Sequence, residues 1–144
     1  METRGVAEAA LLGMAAGMRS MVPLAALGLT LPRRRLFFAP LTLASAAELV
    51  YDKLPQASDR AMPGPLSARV GAGAIAGGIA AYVLGASIPL AAATGALTAL
   101  GSTLLFRRVR AAAARRVPPP AAAVGEDLVA IGTAAVALRV LERD

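Results

Sequence analysis

The chain has 144 residues, 57% of them hydrophobic and only 17% charged, with a net charge of +6 and a mean hydropathy of +0.63. Soluble domains are ~45–50% apolar and ~25% charged, so this balance points away from a soluble monomer and toward one integral membrane domain over residues 1–144. Cysteine and histidine are both absent, which excludes a disulfide framework, a thiolate nucleophile, a His-ligated metal and an imidazole base.

Five apolar segments follow in chain order. The first runs from Val6 to Leu31. Glu2 and Glu8 stand where the basic region of a signal peptide belongs, and Arg19 interrupts the apolar run, so it reads as a retained helix. The second, Leu36 to Tyr51, is short and carries Glu48; it either spans at a tilt or re-enters. A polar stretch from Leu54 to Pro65 follows. Val70 to Phe106 is 37 residues without a formal charge. As one helix it would be about 55 Å long, against a hydrocarbon core of ~30 Å. It therefore reads as two spans, Leu66 to Ala86 and Pro89 to Phe106, joined by a turn at Gly85-Ala-Ser-Ile-Pro89. A basic stretch from Arg107 to Pro120 reads as a loop or an interfacial segment. The fifth segment is Ala121 to Leu141. The expected fold is an all-α, polytopic transmembrane bundle of five hydrophobic helices.

The packing expected of it is close. Gly13-Met-Ala-Ala-Gly17 and Gly73-Ala-Ile-Ala-Gly77 place small residues at helical spacing, which lets backbones approach in lipid. Packing within the chain is the first reading, a dimer face the second. Tryptophan is absent, but Phe37, Phe38, Tyr51 and Phe106 fall near expected span ends.

Basic residues orient such a chain, since cytoplasmic loops carry the excess. If all five segments cross, the fourteen basic residues other than Arg19 divide nine to five with the N-terminus cytoplasmic. If the second re-enters, they divide eleven to three with the N-terminus outside. Charge favours the second arrangement. In both, Glu48, Asp52, Lys53, Arg69, Glu126 and Asp127 lie on or near the cytoplasmic side.

Ionisable residues within apolar spans cost ~2.5–3.5 kcal/mol each on insertion scales, and persist when paired or lining a cavity. Arg19 falls near mid-depth of the first segment. Pro23 leaves the carbonyl four residues earlier without its donor, so a kink and a polar pocket are expected there. The partner of Arg19 is expected to be Glu48 first, then Glu126 or Asp127. Glu48 and Asp52 share a helix face, and Lys53 follows. Glu126 and Asp127 either pair separately or favour a helix N-terminus. Arg19, Arg69, Glu48, Asp52, Lys53, Glu126 and Asp127 form the candidate ligand or pathway set. They either neutralise one another or bind a small charged ligand.

Three motifs occur in order: Gly17-Met-Arg-Ser20, Glu48-x-x-x-Asp52-Lys-Leu-Pro55, and Glu126-Asp127 opening the last helix. Together they resemble a family of small bacterial integral membrane proteins catalogued as domain of unknown function 4126. The resemblance covers nearly the whole chain. It implies that the helix carrying Glu48 and Asp52 is long enough to span. The triple Arg33-Arg34-Arg35 departs from the family and keeps the re-entrant alternative open. The resemblance implies no activity. Alanine- and arginine-rich, lysine-poor usage points to a GC-rich bacterial genome, and the expected location is the bacterial inner membrane, crossed several times.

Transport or permeation of an ion or small solute is the leading functional expectation. It rests on intramembrane charges beside glycine-rich helices, with two or more copies assembled because five short spans are few. A non-catalytic membrane subunit or scaffold is the alternative. A membrane-embedded lipid enzyme, with Glu48, Asp52, Glu126 and Asp127 on a divalent metal, stands third. No cofactor is implied. The expected partners are the lipid bilayer, a second copy and a small ion or solute. Nucleic acid is not expected, because no aromatic stacking set accompanies the basic residues.

Overall fold

A computed structural model describes residues 2–30, 40, 42–47, 50, 63–113 and 115–141. Among these there is no strand, and six helices stand where five were expected. They are α1 (Glu2–Met18), α2 (Val22–Thr30), α3 (described over 42–47), α4 (Pro63–Leu84), α5 (Ile88–Ala113) and α6 (Pro119–Leu141). Three are long and apolar enough to cross a membrane: Gly64–Leu84, Ile88–Ala113 and Pro120–Arg139. Half of the second segment, Glu48 and Tyr51 included, lies outside the described residues.

The first segment is not one helix. α1 stops at Met18, residues 19–21 break it, and α2 starts at Val22. Pro23 supplies the local cause. It cannot donate to the Arg19 carbonyl, and it fits the first turn of a new helix, where no donor is needed. Ala25 N–H then donates to Met21 O at 2.8 Å, opening α2. Val22 packs with Ala15 and Ala134. Leu24 and Leu27 join the cluster of Leu12, Ala76 and Ala137. α2 therefore turns back over the bundle instead of prolonging α1.

The basic stretch is also more helical than expected. Arg107, Arg108 and Arg110 extend α5 to Ala113, because Ala and Arg are strong helix formers. Pro118 stops a helix from continuing through the residue before it.

The turn after α4 forms at the expected glycine. Gly85 has φ 62°, a left-handed conformation that costs glycine little. Ala86 N–H donates to Ala81 O at 2.8 Å and Gly85 N–H to Tyr82 O at 3.4 Å, the pairing of a Schellman cap. Glu2 Oε1 accepts from Ser87 N–H at 3.3 Å, tying the start of α1 to the start of α5.

These contacts set the directions. α1 and α5 run parallel, with Gly13 against Gly95 and Gly17 against Ala99 and Ser102. α4 and α6 run the other way. The start of α1, the α4–α5 turn and the end of α6 lie at one end, here the Gly85 end. The end of α1, the start of α4 and the end of α5 lie at the other, the Arg19 end. α1 is the central helix: from Glu8 to Ser20 no residue is exposed.

Small residues line the inside and large ones the outside. Ala9, Ala16, Ala76, Ala80, Ala99 and Ala137 are buried, while Ile75, Leu97, Leu105, Leu128, Ile131 and Val136 are exposed on α4, α5 and α6. Water penalises that pattern, whereas lipid tails accept large apolar side chains and leave close backbone approach to hold the helices. Both glycine pairs pack within the chain. A Cβ at Gly73 would fall 2.5 Å from Gly95 O, and one at Gly77 2.5 Å from Ala91 O. Gly95 faces Gly13 of α1 and Gly73 of α4 at once. It was not picked out from the sequence, although Gly95-x-x-x-Ala99 is itself a small-residue pair.

Gly95→Val is expected to force α1, α4 and α5 apart and destabilise the protein by ~1–3 kcal/mol or more. Gly101→Ala, on the same helix with nothing within 4 Å, should instead stabilise it by up to ~1 kcal/mol. Thermal unfolding in one detergent checks both signs.

Candidate functional site

The site is built around an interrupted helix. The last carbonyls of any helix lack a donor from within it. In an apolar interior no water replaces that donor, and each unsatisfied group costs several kcal/mol. The end of α1 is fully buried, since Gly17, Met18 and Arg19 are all in the core. The donors come from other helices. Arg69 of α4 donates from Nη1 to Gly17 O at 2.9 Å and to Met18 O at 3.1 Å. Thr103 of α5 has its hydroxyl 3.0 Å from Gly17 O and 2.8 Å from its own Ala99 O, so its one proton is shared between them. Ser102 likewise reaches Met14 O at 3.0 Å and Ala99 O at 3.2 Å. Arg19 N–H closes the last turn on Ala15 O at 2.8 Å.

The side chain of Arg19 is wholly buried. Its Nε donates to Asp127 Oδ1 at 2.6 Å, and its Nη2 forms an ion pair with the same oxygen. Asp127 sits two turns into α6 and is buried, with 8% of its surface exposed. Its neighbour Glu126 points elsewhere, as adjacency on a helix requires. Glu126 lies 4.0 Å from Arg110 Nε, at the partly exposed end of α5. The two acids thus serve two partners, one at the α1–α2 break and one on α5.

The sequence expectations divide accordingly. Arg19, Arg69, Glu126 and Asp127 gather at the Arg19 end. Glu48, Asp52 and Lys53 lie outside the described residues. Arg19 pairs with an acid from another segment, and the partner shown is Asp127, where Glu48 was the first expectation. Arg19 is not at mid-depth of a continuous helix: the break places it at a helix end, level with Arg69 and Asp127. Arg69 does not face a carboxylate through Nη1; it caps α1. Ser102, Thr103 and Arg110 were missed. Nothing distinguishes Ser102 and Thr103 in an apolar run until a facing helix end is known, and Arg110 was assigned to a loop.

The electrostatics agree with this placement. Two guanidinium groups stand at the negative end of the α1 dipole, where cations are favoured. Asp127 balances one of them. Charge-assisted bonds of this kind are roughly twice as strong as neutral ones and are shielded here from water. Among the described residues no group of three or more His, Cys, Asp or Glu side chains is placed to hold a metal ion. The arrangement offers fixed charges and oriented carbonyls instead of a nucleophile. No family model, curated protein or solved structure matches the chain.

Asp127→Asn should destabilise the protein by ~3–5 kcal/mol, because it leaves a buried guanidinium without its counter-charge. The double substitution Arg19→Met with Asp127→Leu should recover most of that loss. A double-mutant cycle on thermal midpoints measures the difference. Arg69→Ala should cost about 2–3 kcal/mol through the two carbonyls it abandons, and Arg69→Lys should restore part of it. Equal losses for the alanine and lysine variants would remove the capping role.

Proposed function

We propose that this chain is a small multi-pass protein of the bacterial inner membrane that passes an ion or small solute, with the Arg19 end of α1 as its charged site. One observation carries the reading. A helix is broken inside an apolar bundle, and its open end is surrounded by Arg19, Arg69 and Asp127. Discontinuous helices with charges at their ends are how membrane transporters bind ions and charged groups. Among the described residues the long helices α1, α4, α5 and α6 are too few to enclose a wide path, and the working unit in this reading is a homo-oligomer.

Charge sets the orientation. Arg107, Arg108, Arg110, Arg115 and Arg116 cluster at the Arg19 end, against Arg4 and Arg139 at the Gly85 end. The Arg19 end is then cytoplasmic and the start of α1 outside. The resemblance to domain of unknown function 4126 agrees with a bacterial membrane protein and adds no activity.

A second reading has an observation of its own. Arg69 spends Nη1 on backbone carbonyls, and Arg19 donates through Nε to Asp127 and is ion-paired with it. Charges used this way hold helices together, as a non-catalytic membrane subunit or scaffold requires.

Flux in proteoliposomes separates the two. The wild type should pass small ions, and the neutral pair Arg19→Met with Asp127→Leu should fold but pass none. If neither protein passes any solute above empty vesicles, the scaffold reading replaces transport. Cysteine introduced at Ala112, in the last turn of α5, tests the orientation against a background without native cysteine. It should react with a membrane-impermeant thiol reagent only once the cytoplasmic side is opened. Labelling in intact spheroplasts would reverse the topology.

A further inference from the structure

The charges at the Arg19 end account for four of the buried ionisable groups. They leave Glu8. It lies on α1 eleven residues before Arg19, about 16 Å along the axis. It is only 2% exposed, and its Oε2 has no hydrogen-bond partner among the described residues. The neighbouring positions on the facing helices are apolar. Ala9 packs with Ala81 of α4 and Ala91 of α5, and Leu12 clusters with Ala76, Ala80 and Ala137.

Few charged groups lie near it. On α1 itself, Glu2 and Arg4 are exposed. On α6, Arg139 is exposed in the last turn. On α4, Tyr82 is 76% exposed. The described part of α5 at this level and the whole of α2 carry no titratable residue.

An isolated carboxylate in an apolar interior is expensive, and such a group takes up a proton or a cation instead. A metal cation or sodium ion needs several oxygen ligands. The clusters beside it on α1, through Ala9 and Leu12, are alanine and leucine, and carbonyls within a helix are used by that helix. A proton needs one oxygen only. It also removes the charge without demanding a partner. Glu8 sits six residues, about 9 Å, inside the start of α1. Glu2 is held there at the level of the α4–α5 turn, so the path from the Gly85 end is short.

We propose that Glu8 is a proton-binding site reached from the Gly85 end, and that a proton is an ion the bundle exchanges. The binding site stands on the burial of Glu8 alone. The exchange rests on the transport reading above. No bond but O–H forms or breaks: water at the Gly85 end gives the carboxylate a proton, and in exchange the carboxyl gives it up to water that reaches the site from the opposite side.

Two measurements test this with the full chain in liposomes. The first is labelling by dicyclohexylcarbodiimide, an apolar electrophile that protonated carboxyls add to after giving its nitrogen their proton, mapped by peptide mass spectrometry. Ordinary glutamates are well under about 1% protonated at pH 7, so adduct on Glu8 should exceed that on the exposed Glu2 by about ten-fold or more. It should fall as pH rises and vanish in Glu8→Gln. That variant copies the neutral acid in shape, so its thermal midpoint should match the wild type. Absence of adduct on Glu8, equal adduct on Glu2, or protection by sodium at constant pH each overturns the proton site.

The second is proton flux, read with a trapped pH dye under an imposed membrane potential. The wild type should pass protons, and Glu8→Gln at least ten-fold fewer. Equal flux in both, or labelled Glu8 in vesicles that pass none, overturns the exchange. Solute flux that persists without any proton flux leaves the transport reading standing and removes this one.

Discussion

A helix that ends inside an apolar interior must find donors for its open carbonyls, and the rest of this structure follows from how it finds them. α1 stops at Met18 where no water can reach. Its last carbonyls are met by Arg69 from one helix and by Thr103 from another, and Ser102 adds a bond to Met14 O one turn earlier. Arg19, one residue further on, brings a cation into the same interior and needs Asp127 from a third. Three separate helices are therefore bound to one point on the central helix. An isolated surface ion pair contributes ~0–1 kcal/mol. Here each partner would leave a buried group unsatisfied if removed, and the cost of breaking the contact is far larger than its net gain.

Such contacts need helices that approach closely, which ties the polar chemistry to the glycines. Gly13 and Gly17 bring α1 against α5 near Gly95 and Ser102, and Gly73 brings α4 to the same place. A hydroxyl reaches a carbonyl of the next helix only when the two backbones are near. Ser102 and Thr103 are short side chains, so their bonds to α1 exist because no Cβ stands at Gly17. In lipid, close approach is also where the packing energy comes from, because apolar surface gains little by leaving one hydrocarbon for another. The exposed Leu, Ile and Val on α4, α5 and α6 are consistent with that division: bulk outside toward the tails, small residues inside.

The two ends of α1 then differ in kind. The Arg19 end holds compensated charge and carbonyls capped by side chains. The Gly85 end holds Glu8, an acid without a shown hydrogen-bond donor for Oε2. The first is expensive to disturb. The second can change its charge by a single proton. The proposed exchange would use that contrast between a rigid ionic end and a carboxyl, and the two ends can be probed independently.

Much of this was legible in the residues. The uncharged run from Val70 to Phe106 was too long for one crossing, and Gly85 alone could supply the left-handed turn, so α4 and α5 were readable as a hairpin. The costs of burying Arg19 required an acid from elsewhere, and Asp127 was among the three candidates. Local sequence did not determine which acid, because that depends on α6 running antiparallel to α1. Nor did it show that Pro23 starts a new helix instead of bending an old one; the return of α2 depends on Leu24 and Leu27 finding Leu12, Ala76 and Ala137. The role of Arg69 was hidden for the same reason, since its partners are backbone carbonyls, which no pattern of side chains announces. Periodicity and charge determined what had to be buried or paired; only the packing of distant helices decided what each buried group meets.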